Sequence, residues 1–254
     1  GVNLFKDSPL EAWRGYGWLV EEHLPVGEVF APSSLYPFIF NLTAGGPCGK
    51  CFKRSFIVDK GISFLALPKS EDFYFISLSL VEAASVSLLR EPIYLKRNND
   101  FGLENQKDCY PTIFWDGICA LKESLAERGL LPFVEQSRIN DNVTRFAYNL
   151  HGLKTEEGRK QVLDLLFSIH RSELGLGLYP DRFYYRPDDY YYLLECLHNE
   201  FAVEFDSLDK KRIMDERLSC QRQLAEKQAR ELRQLWDEKE RQADIIAQQD
   251  AQIE

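Results

Sequence analysis

NLTAGGPCGKCFKRSFIVDKGISFLALPKSEDFYF, residues 41–75, is the stretch that decides how the rest of the chain is read. It gathers the glycines Gly45, Gly46 and Gly49, the cations Lys50, Lys53 and Arg54, and the acidic pair Glu71 and Asp72 between two helical segments. Glycine lets a backbone turn or come close to a ligand, and clustered cations raise the positive potential over the same few residues. Ser70-Glu71-Asp72 reads as a helix start, a small polar cap followed by two carboxylates that the helix dipole favours in a first turn. On residue chemistry alone the acidic pair does no more than open that helix.

Working downstream, residues 62–65 (ISFL) read as a strand and residues 71–84 as a helix, with Phe73, Ile76, Leu80 and then Ala83 or Ala84 on one face. Residues 85–90 and 92–97 read as strand-like runs, with Asn98-Asn99-Asp100 as the loop that follows. Upstream, Ser8-Pro9-Leu10-Glu11 is a capping box that predicts a helix through about residue 22, weakened by Gly15 and Gly17 and closed by Pro25. Pro32-Ser33-Ser34 opens a second, short helix whose aromatic residues are expected in the core.

From Tyr110 onward the pattern is helical. Residues 111–128 carry an apolar face ended by Gly129, residues 133–150 form a further candidate, and Thr155 caps a helix bearing Val162, Leu163, Leu166 and Ile169. Another helix enters at Pro187 with Asp188 and Asp189 in its first turn. Tyr184, Tyr185, Tyr190, Tyr191 and Tyr192 are expected to pack this region, since rings at helical spacing usually do so. His170 and His198 stand alone and receive no role. From Leu208 the chain lacks proline and glycine and is dense in mixed charge, which predicts a long helix with competing seven- and eleven-residue apolar repeats.

The order Gly49-Lys50-Cys51-Phe52-Lys53-Arg54, then Glu71-Asp72, then Pro92-Ile93-Tyr94-Leu95-Lys96-Arg97 resembles the second half of the catalytic domain of family 2 glycosyltransferases of the GT-A fold. In that family a G-x-W-x-K-L-F-[KR]-[KR] segment precedes an E-D helix, and a P-[LI]-Y-x-Y-R strand follows. The likeness covers residues 22–101, with Cys48 and Cys51 where Trp and Leu are common. It implies an α/β, incomplete GT-A-like domain over residues 1–105, a helical accessory domain over 106–206 and a coiled-coil-like helix over 207–254, the whole being mainly α. The implied activity is transfer of a sugar from a nucleotide sugar to a hydroxyl of a glycan or lipid-linked acceptor, with inversion, in bacterial surface polysaccharide synthesis. Asp72 is then the general base, Glu71 its positioner or an acceptor ligand, Lys50 and Arg97 neighbours of the leaving diphosphate, and Gly45 and Gly46 the point of close substrate approach. A divalent metal, Mg or Mn, is implied for the complete enzyme, with its main ligands outside this chain. The implied location is cytoplasmic, at the inner face of the membrane.

The chain begins at Gly1 and its only methionine is Met214, so it is expected to be cut from a longer protein, and no D-x-D metal motif occurs in it. Its 254 residues, 44% hydrophobic and 13% aromatic, suffice for a sizeable core, and a net charge of -9 argues against a general nucleic-acid binder. No run of about 18 apolar residues and no basic-then-apolar leader is present. Cys48-Gly-Lys-Cys51 lacks the second ligand pair that structural zinc needs, and Ala44 and Cys51 stand where a phosphate-binding P-loop needs Gly and Ser or Thr. Together with Cys109, Cys119, Cys196 and Cys220 they are expected as reduced, buried thiols. Asn41-Leu42-Thr43 and Asn142-Val143-Thr144 fit the glycosylation pattern and, without a leader, receive no role. The competing class is a non-catalytic interaction module with self-association through the long helix; a cysteine-based metal module stands third.

Overall fold

The computed structural model describes residues 2–5, 13–15, 24, 29–88, 94–97 and 107–200. The chain divides into two units, Gly1–Ala202 and Val203–Glu254, and the expected long helix over 207–254 lies outside the described residues.

The first unit is mainly helical. Strands β1 (Val2–Phe5), β2 (Trp13–Gly15) and β5 (Tyr94–Arg97) form a sheet of order β2-β1-β5, with β1 antiparallel to β2 and parallel to β5. A second pair joins β3 (Val29–Phe30) and β4 (Val86–Ser87). A 3-10 helix at Pro32–Asn41 follows β3, and then come α1 (Arg54–Asp59), α2 (Glu71–Glu82), α3 (Ile113–Glu127), α4 (Leu131–Gly152), α5 (Glu156–Ile169) and α6 (Pro187–Glu200). None of these helices is long and apolar enough to cross a membrane.

Local sequence accounts for most of the helix ends. Gly129, at φ 68°, takes the left-handed position after α3, and the N–H of Leu130 returns to the carbonyl of Leu125 at 2.8 Å, closing that helix and turning the chain into α4. Thr155 caps α5 by accepting the N–H of Gly158 at 3.2 Å. The core lies where these helices meet: Leu121 and Leu125 of α3, Val134, Phe146 and Leu150 of α4, Val162 and Leu166 of α5, and Leu193 and Leu197 of α6 are almost wholly buried. Each contributes about 1.5–3 kcal/mol of transfer free energy in such a setting.

Helix α4 is the exception to simple apolar burial, because Ser137, Arg138, Asn140, Asp141 and Asn142 are also buried. Each has partners, as buried polar groups require. Arg138 donates to Glu135 (2.7 Å) and Glu173 (3.0 Å), Asn140 donates to the Phe183 carbonyl and accepts from the N–H of Tyr185, and Ser137 holds the 3-10 helix by accepting from the N–H of Phe40 at 2.9 Å. Ten residues is long for a 3-10 helix, and Pro37 inside it has no N–H to give. Side chains from elsewhere supply what its backbone lacks: Asn41 donates to the Ser137 carbonyl at 3.0 Å, and the hydroxyl of Tyr185 to the Pro37 carbonyl at 2.6 Å.

Several expectations are corrected. The helix predicted over residues 8–22 contains β2 instead: Gly15 makes a poor helix interior, and Trp13–Gly15 pairs with β1, Val2 opposite Gly15. The strand predicted over residues 62–65 is irregular, because the N–H of Ile62 returns to the carbonyl of Ile57 at 3.0 Å to close α1, while Phe64 stacks flat on Phe75 at 4.1 Å. Helix α1 has no counterpart in the sequence reading. The runs expected over 85–90 and 92–97 contribute only β4 and β5 among the described residues. The boundary expected at 105–106 does not separate two bodies, since α4 packs on the 3-10 helix and α3 on α2. Cys48, Cys51 and Cys109 are exposed free thiols, whereas Cys196 is buried as expected; Cys220 lies outside the described residues.

Candidate functional site

The loop between the 3-10 helix and α1 carries the glycines. Gly49 has φ 76°, a conformation that favours glycine, and the N–H of Lys50 bonds the Pro47 carbonyl at 3.1 Å, so the chain reverses there. That reversal points the Lys50 side chain back along the loop, where Nζ donates to the carbonyls of Ala44 (2.8 Å) and Gly46 (2.7 Å). Lys50 therefore braces the loop with two of its three N–H bonds. Burial lowers its proton affinity, and the nearby Cys48 and Asp72 oppose that shift.

Asp72 faces the same loop from the start of α2. The residue before the acidic pair, Ser70, adopts φ 68° and makes no side-chain cap, so the expected Ser70 cap is replaced by Asp72 itself, whose Oδ1 accepts the N–H of Phe73 at 2.8 Å. A non-glycine residue in the left-handed region costs roughly 1–3 kcal/mol unless its surroundings hold it. Here α3 makes room: a methyl at Gly117 would sit 3.4 Å from the Ser70 carbonyl oxygen. Burial pushes the Asp72 carboxyl above the ordinary carboxylate range, Glu71 adds to the rise, and the Phe73 N–H and Arg145 pull against it.

The third component comes from α4. Arg145 donates Nε to Oδ2 of Asp141 at 2.6 Å and lays its guanidinium over the Phe73 ring, 3.4 Å from the centroid. Asp141 is itself buried, which raises its proton affinity, while Arg145 lowers it. The two adjacent glycines touch these two charged groups in turn: a methyl at position 45 would sit 2.9 Å from Nη2 of Arg145, and one at position 46 would sit 3.7 Å from Oδ2 of Asp72. Neither Gly45 nor Gly46 has a positive φ, so the value of Gly45 is the room it leaves for Arg145.

Of the residues singled out in the sequence, the structure brings Gly45, Gly46, Lys50 and Asp72 together, with Glu71 beside Asp72 on α2. Arg97 ends β5, opposite Phe5 in the β1–β5 ladder. The sequence reading missed Asp141 and Arg145. Their signal was available: an acid and an arginine four residues apart, on a helix whose apolar face is broken by Ser137, Arg138, Asn140, Asp141 and Asn142.

Among the described residues no group of three or more His, Cys, Asp or Glu side chains converges as a metal site, and no step below passes through a metal. An open cleft of about 330 Å³ lies elsewhere, lined by Trp115, Ile118, Cys119, Lys122, Leu131 and Glu173. Its polar edge is already engaged, Glu173 accepting from Lys122 at 2.6 Å and from Arg138 at 3.0 Å, and burial pushes the Cys119 thiol up. The chemistry concentrates at the loop instead. A half-buried carboxylate that holds a proton more readily than usual, beside a backbone with no side chains in the way, can accept a proton from a bound hydroxyl. Comparison of the chain with family models, with curated proteins and with solved structures returns no match.

Proposed function

We propose that this chain forms the acceptor side of an inverting glycosyltransferase of the family 2, GT-A type, acting in bacterial surface polysaccharide synthesis, with Asp72 as the general base. The observation that carries the reading is the placement of Asp72 at the start of α2, half-buried, raised in proton affinity and facing Gly46 across a loop tied back by Lys50. In the reaction the acceptor O–H bond breaks as Asp72 takes the proton, and the oxygen forms a bond to the anomeric carbon of the donor. The bond from that carbon to the nucleotide diphosphate breaks with its electron pair on the leaving oxygen, which inverts the configuration. Glu71 orients acceptor hydroxyls, and Arg97 stabilises the developing diphosphate charge. Lys50 shapes the loop that receives the acceptor and lends its positive charge to the same place. The nucleotide site belongs to residues outside this chain, and a divalent metal bound there supplies charge neutralisation of the diphosphate.

The test is Asp72→Asn in the complete protein, assayed for transfer from a panel of nucleotide sugars. Loss of a general base lowers kcat by about 100- to 10,000-fold. Turnover retained near the unmodified rate removes Asp72 from the mechanism. A complete protein that consumes no nucleotide sugar leaves the interaction-module reading in its place.

A further inference from the structure

We infer that Arg145, delivered by α4, is a positioning residue for Asp72: it holds the carboxylate ionised and facing the Gly45–Gly46 backbone, so the helical region is part of the reaction centre. The inference rests on the reading of Asp72 as the general base.

Three independent contacts fix Arg145. Asp141 takes Nε at 2.6 Å, the Phe73 ring takes the flat face at 3.4 Å, and the missing side chain at Gly45 leaves the space that Nη2 occupies. Phe73 is also the residue whose N–H bonds Oδ1 of Asp72 at 2.8 Å, so the arginine lies on the side chain next to the carboxylate it serves. No carboxylate other than that of Asp141 lies within 4.0 Å of Arg145 among the described residues, and neither Nη nitrogen has a hydrogen-bond partner among them. Arg145 therefore acts on Asp72 through its field and leaves both Asp72 oxygens open to a hydroxyl, where a direct ion pair would occupy them.

The charged groups around Asp72 set the sign. Glu71 on α2 repels a second negative charge there, and Lys50 on the loop and Arg145 on α4 attract it. Asp141, behind Arg145, is held by the Nε bond and offsets part of its charge. Lys50 spends its N–H groups on two carbonyls, so Arg145 is the cation whose removal changes Asp72 without collapsing the loop. Burial and Glu71 alone would keep Asp72 protonated over a wider pH range, and a protonated carboxyl accepts no proton.

The experiment follows the Asp72 carboxyl resonance through a pH titration of the full chain labelled with carbon-13 aspartate, for the unmodified protein, Arg145→Met and Arg145→Lys, with no ligand required. The expected result is a higher titration midpoint for Asp72 in Arg145→Met and one nearer the unmodified protein in Arg145→Lys, with the acid limb of the pH–rate profile moving the same way in the complete enzyme. An unchanged midpoint in folded Arg145→Met overturns the inference. Should that variant fail to fold, Arg145→Lys with Asp141→Asn carries the test, because weakening the fork while keeping the charge must still displace the midpoint. A merely structural arginine would alter the melting temperature and leave the midpoint in place. The general-base reading fails separately, through turnover retained in Asp72→Asn, whatever the titration shows.

Discussion

The α3–α4 hairpin and the loop that precedes α1 are built to opposite rules. In the hairpin every large side chain finds a partner: Phe146 meets Phe114 edge-on at 4.9 Å and Trp115 at 5.9 Å, and the buried polar groups of α4 are hydrogen-bonded. In the loop and the α2 start, a half-buried lysine and a half-buried aspartate have proton affinities displaced by burial, a serine sits in the left-handed region, and two arginine nitrogens lack partners among the described residues. Stability is concentrated in the first region, and unmet chemical demand in the second. Such a division is expected where a scaffold holds a site in a conformation it would not choose alone.

The comparison can be broken most directly in the hairpin. Phe146→Ala should destabilise the chain by about 3–5 kcal/mol, read from urea unfolding, because the cavity it leaves is ringed by groups that cannot collapse into it. A loss below 1 kcal/mol would mean that the hairpin is not the stable half. Gly45→Ala comes next, at about 1–3 kcal/mol, since the added methyl must push the Arg145 guanidinium aside, while Gly46→Ala should stay within about 0.5 kcal/mol. Equal effects at the two glycines would show that Arg145 does not occupy that space. Thr155→Ala, which removes the α5 cap, is expected to lower stability by about 1 kcal/mol.

The smallest expected effect on stability has the opposite sign. Asp72 holds its proton more tightly in the fold than in the unfolded chain, so the stability linked to it is complete below the unfolded carboxylate value and is lost as pH rises through the higher folded value. At pH 7 the ionised group is a net burden. Asp72→Asn should therefore raise the melting temperature at pH 7, with the gain shrinking as the solution is taken into the acid range where both side chains are neutral. A variant less stable than the unmodified protein at pH 7 would mean that Asp72 is structural.

Features that depend on neighbours in sequence were legible. The start of α2, the glycine after α3, the Thr155 cap and the proline at the start of α6 each follow from residues within a turn of the boundary. The packing role expected for the tyrosines also matches the structure: Tyr184 and Tyr190 are buried and stacked at 4.2 Å. What was hidden depends on distant partners. Strand β2 exists through β1, residues 62–65 spend their apolar side chains on α2, and Arg145 reaches the loop only because α4 lies beside the 3-10 helix. The candidate site was thus half visible, its Gly45, Gly46, Lys50 and Asp72 side in one stretch and its Asp141 and Arg145 side some seventy residues later, on a helix whose buried polar residues were passed over as surface.

The 3-10 helix at Pro32–Asn41 leans on Ser137 and Tyr185, which lie 97 and 148 positions along the chain from the backbone groups they bond. A ribosome releases that segment long before either partner exists, and contacts so far apart in sequence form late. The glycine loop that follows it inherits this delay. During synthesis the first unit passes through an interval in which α2 and α3 can already pair while the loop between Asn41 and Lys50 has nothing to rest on, so the reaction centre is assembled last, when the final helices of the unit emerge.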